Sequence, residues 1–332
     1  MARITFIAYD RCMFSGIAGL IDAFTIADLW HQKFESDEAS DAHPLFDTEI
    51  VSLKGKPVLT NRGIRINPDR GTEDVEDTDM ILIPPYLFGV RPLPDEMPDI
   101  LHWITRHYRQ DTRIGALCTG VFILAMTGLL DGKIATTNWQ VAKRFRRQFP
   151  EVRLKSERVL TEDSGLICSG AVTALYNLAI YVIEIFGSEA LSRVCAKAFL
   201  VDPGRNTQAP YMITNFWKNH GDREILKAQE WMEDHYADNI TIDAAARHVS
   251  LSPRHFKRRF KKATDETPLA YLQQIRLEAA KKRLETTTDN IDEITRQIGY
   301  EDSSSFRRLF KKYTALSPRE YRDKFGNIRN IH

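Results

Sequence analysis

Over roughly the first two hundred residues, short apolar runs alternate with longer stretches of helical spacing. Arg3–Ala8 is almost continuously apolar, as a strand buried on both faces should be, and Thr48–Leu53, Met80–Ile83, Ile114–Leu117 and Leu166–Cys168 are of the same kind. Between them, Gly19–Trp30, Asp99–Tyr108, Val121–Thr127, Val141–Gln148 and Ala171–Phe186 place apolar residues at helical intervals. This alternation predicts an α/β sandwich over residues 1–199, with a mostly parallel sheet and helices on both faces. The pattern loosens around Gly187–Gly221. Leu200–Pro210, which holds Pro203, Gly204, Asn206 and Gln208, predicts an interdomain linker within residues 200–221. Coupling between the domains is expected there and in the apolar Tyr211–Trp217 stretch. Beyond it, residues 222–327 read as almost wholly helical.

The helical part contains an internal repeat of about fifty residues. Ile242 and Val249 fall over Ile291 and Ile298. After one extra residue in the second turn, Phe256, Phe260, Lys261–Lys262, Pro268 and Tyr271 fall over Phe306, Phe310, Lys311–Lys312, Pro318 and Tyr321. Each copy predicts one helix–turn–helix. In the first, Ser250–Leu251 makes the turn, Ser252 caps the next helix and Pro253 opens it. Phe256, Phe260 and Ala263 must face a core, which leaves Arg254, Lys257, Arg258 and Lys261 outside. In the second, Gly299 turns, Asp302 or Ser303 caps, and Phe306, Phe310 and Tyr313 point inward. Ser304, Arg307, Arg308 and Lys311 are then outward. Pro268–Glu285 has the length of one long helix joining the two units.

An outward basic helix after such a turn is the pattern of a recognition helix, whose N-terminal half enters a major groove of double-stranded DNA. The candidate DNA-binding residues are Arg254, His255, Lys257, Arg258, Lys261, Ser303, Ser304, Arg307, Arg308 and Lys311. Arg254, Arg258 and Arg308 suit guanine edges; Lys261, Lys262, Lys311 and Lys312 suit phosphates. SPRHFKRRFKK, TPLAYLQQIRLEAAKKRL and IGYEDSSSFRRLFKKYTALSPREYR closely resemble the recognition helices, linker helix and C-terminal signature of the AraC/XylS family of bacterial transcription regulators. The resemblance spans residues 222–325 and implies sequence-specific DNA binding. One departure is Asp265–Glu266, where the family often has glycine.

In the first part, Arg113–Phe122 reads strand, sharp turn, helix, with Cys118 at the turn. A cysteine so placed points into the cleft at the strand's C-terminal end, where helix amides can stabilise a thiolate or bind an anion. GALCTGVFILAMTGLLDGKIATTNW resembles the PfpI-like, class I glutamine-amidotransferase-like domains, and the resemblance extends over residues 3–187. Fused to an AraC-type reader, such a domain has the architecture of the GlxA-like regulators. The resemblance implies a flavodoxin-like sandwich with Cys118 at a nucleophile elbow. It departs at three positions that carry chemistry in relatives: Thr119 stands where enzymes often have histidine, Asn138 where related regulators often have histidine, and Gly16 where an acid is common. The reading is a retired enzyme fold that binds a small-molecule effector around Cys118, Thr119, Gly120, Asn138, Ser169 and Gly170. The alternatives are a cysteine-dependent amidase or hydratase, or a thiol redox sensor, tethered to DNA.

Composition narrows the rest. The 332 residues are 43% hydrophobic and 27% charged. From Asp222 onward there are 22 Lys/Arg against 18 Asp/Glu, and before it 24 against 27, a modest bias of the tail toward nucleic acid. Cys12, Cys118, Cys168 and Cys195 form no CxxC pair, so neither a metal site nor a disulfide framework is expected, and no cofactor. No segment reads as a membrane span or a signal peptide, which predicts a cytoplasmic protein, nucleoid-associated when bound. A homodimer is expected, with RNA polymerase as a partner if the protein activates; relatives of this architecture favour activation.

Overall fold

The structure is a computed structural model and describes residues 1–35, 43–87, 95–214, 216 and 218–326. Two compact units divide the chain, residues 1–208 and the remainder from Ala209.

The first unit begins with β1 (Ala2–Ile7), α1 (Ser15–Glu35) and β2 (Phe46–Ser52). A short hairpin of β3 (Val58–Leu59) and β4 (Arg65–Ile66) follows, then β5 (Arg70–Gly71), β6 (Met80–Ile83), α2 (Met97–Tyr108), β7 (Arg113–Leu117) and α3 (Val121–Met126). Next come β8 (Ile134–Ala135), α4 (Ala142–Gln148), β9 (Arg153–Leu154), β10 (Leu160–Asp163), β11 (Leu166–Ser169), α5 (Ala174–Phe186) and α6 (Glu189–Ala198). Seven strands form one sheet in the order β10-β11-β7-β6-β1-β2-β5, parallel except where β10 runs against β11. The central order β2-β1-β6-β7-β11 is the flavodoxin-like winding expected from the sequence. Its strands are apolar throughout because helices cover the sheet: all four residues of β6 are buried, as are Ile4, Phe6 and Ile7 of β1. Helix α1 packs with α5 and α6, and α2 packs with α3.

Two expectations shift. The Gly187–Gly221 region is not uniformly loose, because Glu189–Ala198 forms α6, capped by Ser188 and burying Leu191, Cys195 and Ala196. The linker expected over 200–221 also starts later. Buried Gln208 donates through Nε2 to the carbonyls of Ser156 (2.7 Å), Thr137 (2.9 Å) and Arg158 (3.1 Å), which fixes the chain to the first unit up to that residue.

The second unit is all-helical: α7 (Arg223–Asp234), α8 (Ile242–His248), α9 (Pro253–Thr264), α10 (Pro268–Thr286), α11 (Ile291–Gln297), α12 (Ser303–Thr314) and α13 (Pro318–Phe325). Helices α8–α9 and α11–α12 are the two helix–turn–helix units. Each has its own core, with Phe256 and Phe260 at the centre of one and Phe306 and Phe310 at the centre of the other. The repeat extends beyond the phenylalanines. The Tyr271 hydroxyl donates to Glu233 (2.6 Å) and the Tyr321 hydroxyl to Glu285 (2.7 Å). Residue 327, the end expected for this domain, lies outside the described residues.

Candidate nucleic-acid interface and sensor site

Helix α9 starts where the Ser252 hydroxyl accepts the His255 amide (3.4 Å), with Pro253 in the first turn. Burial of Phe256 and Phe260 fixes its rotation, and helical periodicity then leaves Arg254, His255, Lys257, Arg258 and Lys261 exposed. Among the described residues, Arg254, Lys257, Arg258 and Lys261 have no hydrogen bond or ion pair, so their charge is uncommitted. Arg259 is different. It turns back to Asp222, the cap of α7, and grips both carboxylate oxygens at 2.6 and 2.8 Å. Asp265 ends the helix at φ 65°, the conformation for which relatives favour glycine and which aspartate tolerates.

For α12, Asp302 is the cap: its carboxylate accepts the amides of Ser304 (3.0 Å) and Ser305 (2.9 Å). Ser303, the other expected cap, donates instead to Asp292 (2.6 Å), which also takes Arg307 at 3.1 Å. Ser304, Arg307, Arg308 and Lys311 are exposed and Ser303 is half-buried. Both carboxyls lie below the usual range, Asp292 through the Ser303 hydroxyl and Arg307, Asp302 through the bonds from Ser305 and Ser304.

Helix α10 belongs to both helix–turn–helix units. Tyr271, Leu272 and Ile275 enter the first core; Leu277, Ala280 and Leu284 enter the second. At the changeover, Arg276 donates to the carbonyls of Tyr236 (2.9 Å) and Asp238 (3.0 Å) and lies over the Tyr300 ring. One helix and one guanidinium thus hold the two readers together.

In the first unit, β7 runs into a 3-10 turn at Cys118–Gly120 and then into α3. Cys118 has φ 53°, a strained value for a residue with a side chain and the geometry of the expected elbow. Gly120 lets the turn sit against the end of β6, since a Cβ there would fall 2.7 Å from the carbonyl oxygens of Ile83 and Pro84. The Thr119 hydroxyl is spent on backbone, accepting from the Tyr86 amide (2.8 Å) and donating to the Tyr86 carbonyl (2.6 Å). Asn138 accepts the Gln140 amide (2.9 Å) and also bonds the Cys118 thiol. Burial pushes that thiol up, and its bonds to Asn138 and Thr119 only partly offset the effect.

The loops after β1, β6, β7 and β11 meet at this end of the sheet. They enclose a cavity of about 10 Å³, lined in part by Met13, Gly16, Pro85, Cys118, Ser169 and Gly170. That is room for one water molecule. The structure brings Cys118, Ser169 and Gly170 together as expected, but Thr119, Gly120 and Asn138 do not line the cavity. The Ser169 hydroxyl is buried with no partner among the described residues. A Cβ on Gly16 would lie 2.5 Å from Pro85 Cδ, so the place where relatives carry an acid is closed here. Sequence reasoning missed a second feature, an open groove of about 720 Å³ beside β10, α5 and α6, whose lining includes Arg158, Tyr181, Glu184, Arg193 and Arg205. Its residues come from stretches without motif, and α6 itself was not expected.

The model of the DJ-1/PfpI family matches residues 42–185, and that of a helix–turn–helix domain matches residues 245–324. The HTH-type transcriptional regulator CdhR of Pseudomonas aeruginosa is 24% identical over 280 residues, covering 84% of this chain and 82% of that protein. The HTH-type transcriptional regulator GlxA of Rhizobium meliloti is 28% identical over 230 residues, 68% of this chain and 69% of that one. An AraC family transcriptional regulator from Pseudomonas putida shares the fold at a TM-score of 0.50 and 16% identity, over 60% of this chain and 100% of that one. The chain therefore joins a DJ-1/PfpI-type domain to an AraC-type helix–turn–helix domain, the architecture of the HTH-type transcriptional regulators it resembles.

Proposed function

We propose that this protein is a sequence-specific DNA-binding transcription regulator controlled by a small molecule held in a non-catalytic DJ-1/PfpI-type domain. The observation that carries the reading is the pair of basic faces, on α9 and α12, each rotated outward by two buried phenylalanines. The guanidiniums of Arg254, Arg258 and Arg308 match the O6 and N7 acceptors of guanine, and Lys261, Lys262, Lys311 and Lys312 suit phosphates. His255, Lys257, Ser303, Ser304 and Arg307 complete the surface. Held on one linker helix, the two readers would enter successive major grooves about 34 Å apart. A homodimer would strengthen binding through effective concentration, and activation would add RNA polymerase as a partner.

Genome-wide footprinting with the purified full chain tests this reading. Enriched sites should hold two short blocks about one helical turn apart. Arg258→Ala and Arg308→Ala should each weaken binding by about 1–3 kcal/mol and relax sequence choice at one block. Undiminished enrichment with the double variant would sink the assignment.

The non-catalytic reading is supported by the raised Cys118 thiol and by its hydrogen-bonding side chains, Asn138 and Thr119, neither of which is a base. The same raised thiol weighs against a peroxide sensor, which needs a thiolate. Turnover abolished by Cys118→Ala would overturn it. For the effector, the elbow cavity must open before anything larger than water enters, whereas the groove at Arg158, Arg193 and Arg205 already has metabolite volume. Calorimetric titration of the full chain with a metabolite panel would decide, with Cys118→Ala and Arg205→Ala locating any binding. Heat unaffected by either variant would remove both sites.

A further inference from the structure

The chain enters the second unit through a segment that has work beyond connection. Phe216 packs edge-on against Tyr271 (5.0 Å between centroids) at the first core. Thr214 then gives both its amide (3.2 Å) and its hydroxyl (3.0 Å) to Glu278. The Met212 carbonyl accepts from Lys281 (2.7 Å), and Lys281 also holds Glu278 (2.9 Å). Tyr211 meets Phe325 of α13 edge-on (5.4 Å), with the Lys324 ammonium over its ring. As the segment runs from 216 back to 211, its partners advance along α10 from 271 to 281 and on to α13. The contacts of Phe216, Thr214, Met212 and Tyr211 thus run antiparallel to the linker helix.

Helical geometry says why this face of α10 was available. At about 100° per residue, Glu278 falls about 20° from Tyr271 and Lys281 about 40° from Leu277, in the gap between the arc of Tyr271, Leu272 and Ile275 and the arc of Leu277, Ala280 and Leu284. Lys281 is only 6% exposed. A lysine so buried is costly unless its donors are met, and one of its two acceptors is the Met212 carbonyl. Upstream of the segment, Gln208 is bonded into the first unit and directly precedes Ala209.

We infer that Tyr211, Met212, Thr214 and Phe216 form a strap that sets the separation of the two recognition helices, latched to the linker helix by Lys281 and Glu278. The strap touches the first core at Phe216 and the second at Phe325, so it resists bending of α10 between them. This inference rests on both helices reading DNA.

The test uses the full chain and duplexes it selects from a random library, remade with the two blocks at the selected spacing, with the spacing changed by one base pair, and with one block alone. The wild type should prefer the selected spacing by about tenfold or more, equivalent to about 1.4 kcal/mol. Glu278→Met/Lys281→Met, which removes the latch's acceptor and its ammonium together and so leaves no lone buried charge, should lose most of that preference and keep single-block affinity within about twofold. Thr214→Val/Tyr211→Ala, altered in the strap alone, should do the same, and serves if the first variant does not fold. Full spacing preference in both folded variants would overturn the strap. Failure to select any sequence, or to bind a single block, would instead remove the DNA-reading assignment beneath it.

Discussion

In α9 the outward basic side chains stand alone, Arg259 being turned back to Asp222, whereas in α12 an acid holds outward Arg307. The two helices are otherwise built alike. Each buries two phenylalanines and ends in a left-handed residue, Asp265 or Ala315. In each, a buried threonine hydroxyl returns to the helix, Thr264 to Phe260 (2.9 Å) and Thr314 to Phe310 (2.8 Å). What differs faces outward: Arg307 is drawn to Asp292, Arg308 to Ser305, and the cap is an aspartate rather than a serine. The repeat is thus a property of the core, where volume and hydrogen bonding leave few choices, and the solvent face has diverged. On this view α9 supplies more of the phosphate attraction, and α12 binds with part of its charge already committed.

The core half of the comparison makes the largest prediction. Phe260→Ala and Phe310→Ala should each destabilise the second unit by about 3–5 kcal/mol in urea unfolding, as full burial of both rings implies. Because α10 and Tyr236 serve both cores, each variant should lower the stability of both readers in one transition. A cost below about 1 kcal/mol at either ring would show that the two cores are not equivalent.

A smaller effect separates the units by pH. Position 309, which aligns with Arg259, is leucine, so only the first unit has the fork to Asp222. Burial pushes the Asp222 carboxyl up, but Arg259 and the Ile225 amide outweigh it and hold the group below its ordinary value. A depressed carboxyl stabilises the fold above its unfolded pKa near 3.9, and that contribution is lost as pH falls through the folded value. Asp222→Asn keeps a competent cap and should flatten the acid limb of stability against pH. Asp222→Ala should cost about 1 kcal/mol more at neutral pH through loss of the cap. An unchanged acid limb in Asp222→Asn would remove the fork as a stabilising link.

Legibility in the sequence followed the same division between core and surface. The five central strands, the long linker helix and both recognition helices announced themselves, because burial imposes period two, period 3.6 or a continuous apolar run. Strand β10 did not: LTED is an edge strand with one partner and three of its four residues polar. Helix α6 did not, because it is only ten residues long and, of its buried positions Leu191, Ser192, Cys195 and Ala196, only the leucine is a bulky apolar residue. At the elbow, the strand–turn–helix around Cys118 was readable. The use of Thr119 was not, since its partner Tyr86 lies thirty-three positions away and no local pattern reports it. The strap was legible only as an apolar stretch over 211–217, of which Asn215 and Trp217 lie outside the described residues. Its anchors on Glu278 and Lys281 are tertiary and leave no periodicity.

The smallest prediction tests the surface half of the comparison directly. The repeat places Asp243 at the position of Asp292, so both units carry the acid; only the second has neighbours that take it. Ser303 and Arg307 reach Asp292, while their counterparts are Pro253, which has no hydroxyl, and Lys257, which makes no bond. Asp292→Asn removes the charge that holds Arg307. If the freed guanidinium then meets a phosphate, DNA affinity should rise and the log–log dependence on salt should steepen by about 0.9. Asp243→Asn removes the same net charge where nothing is held, and should leave the slope unchanged. Equal steepening in both variants would mean that net charge alone is at work and that α9 and α12 do not differ in how their cations are committed.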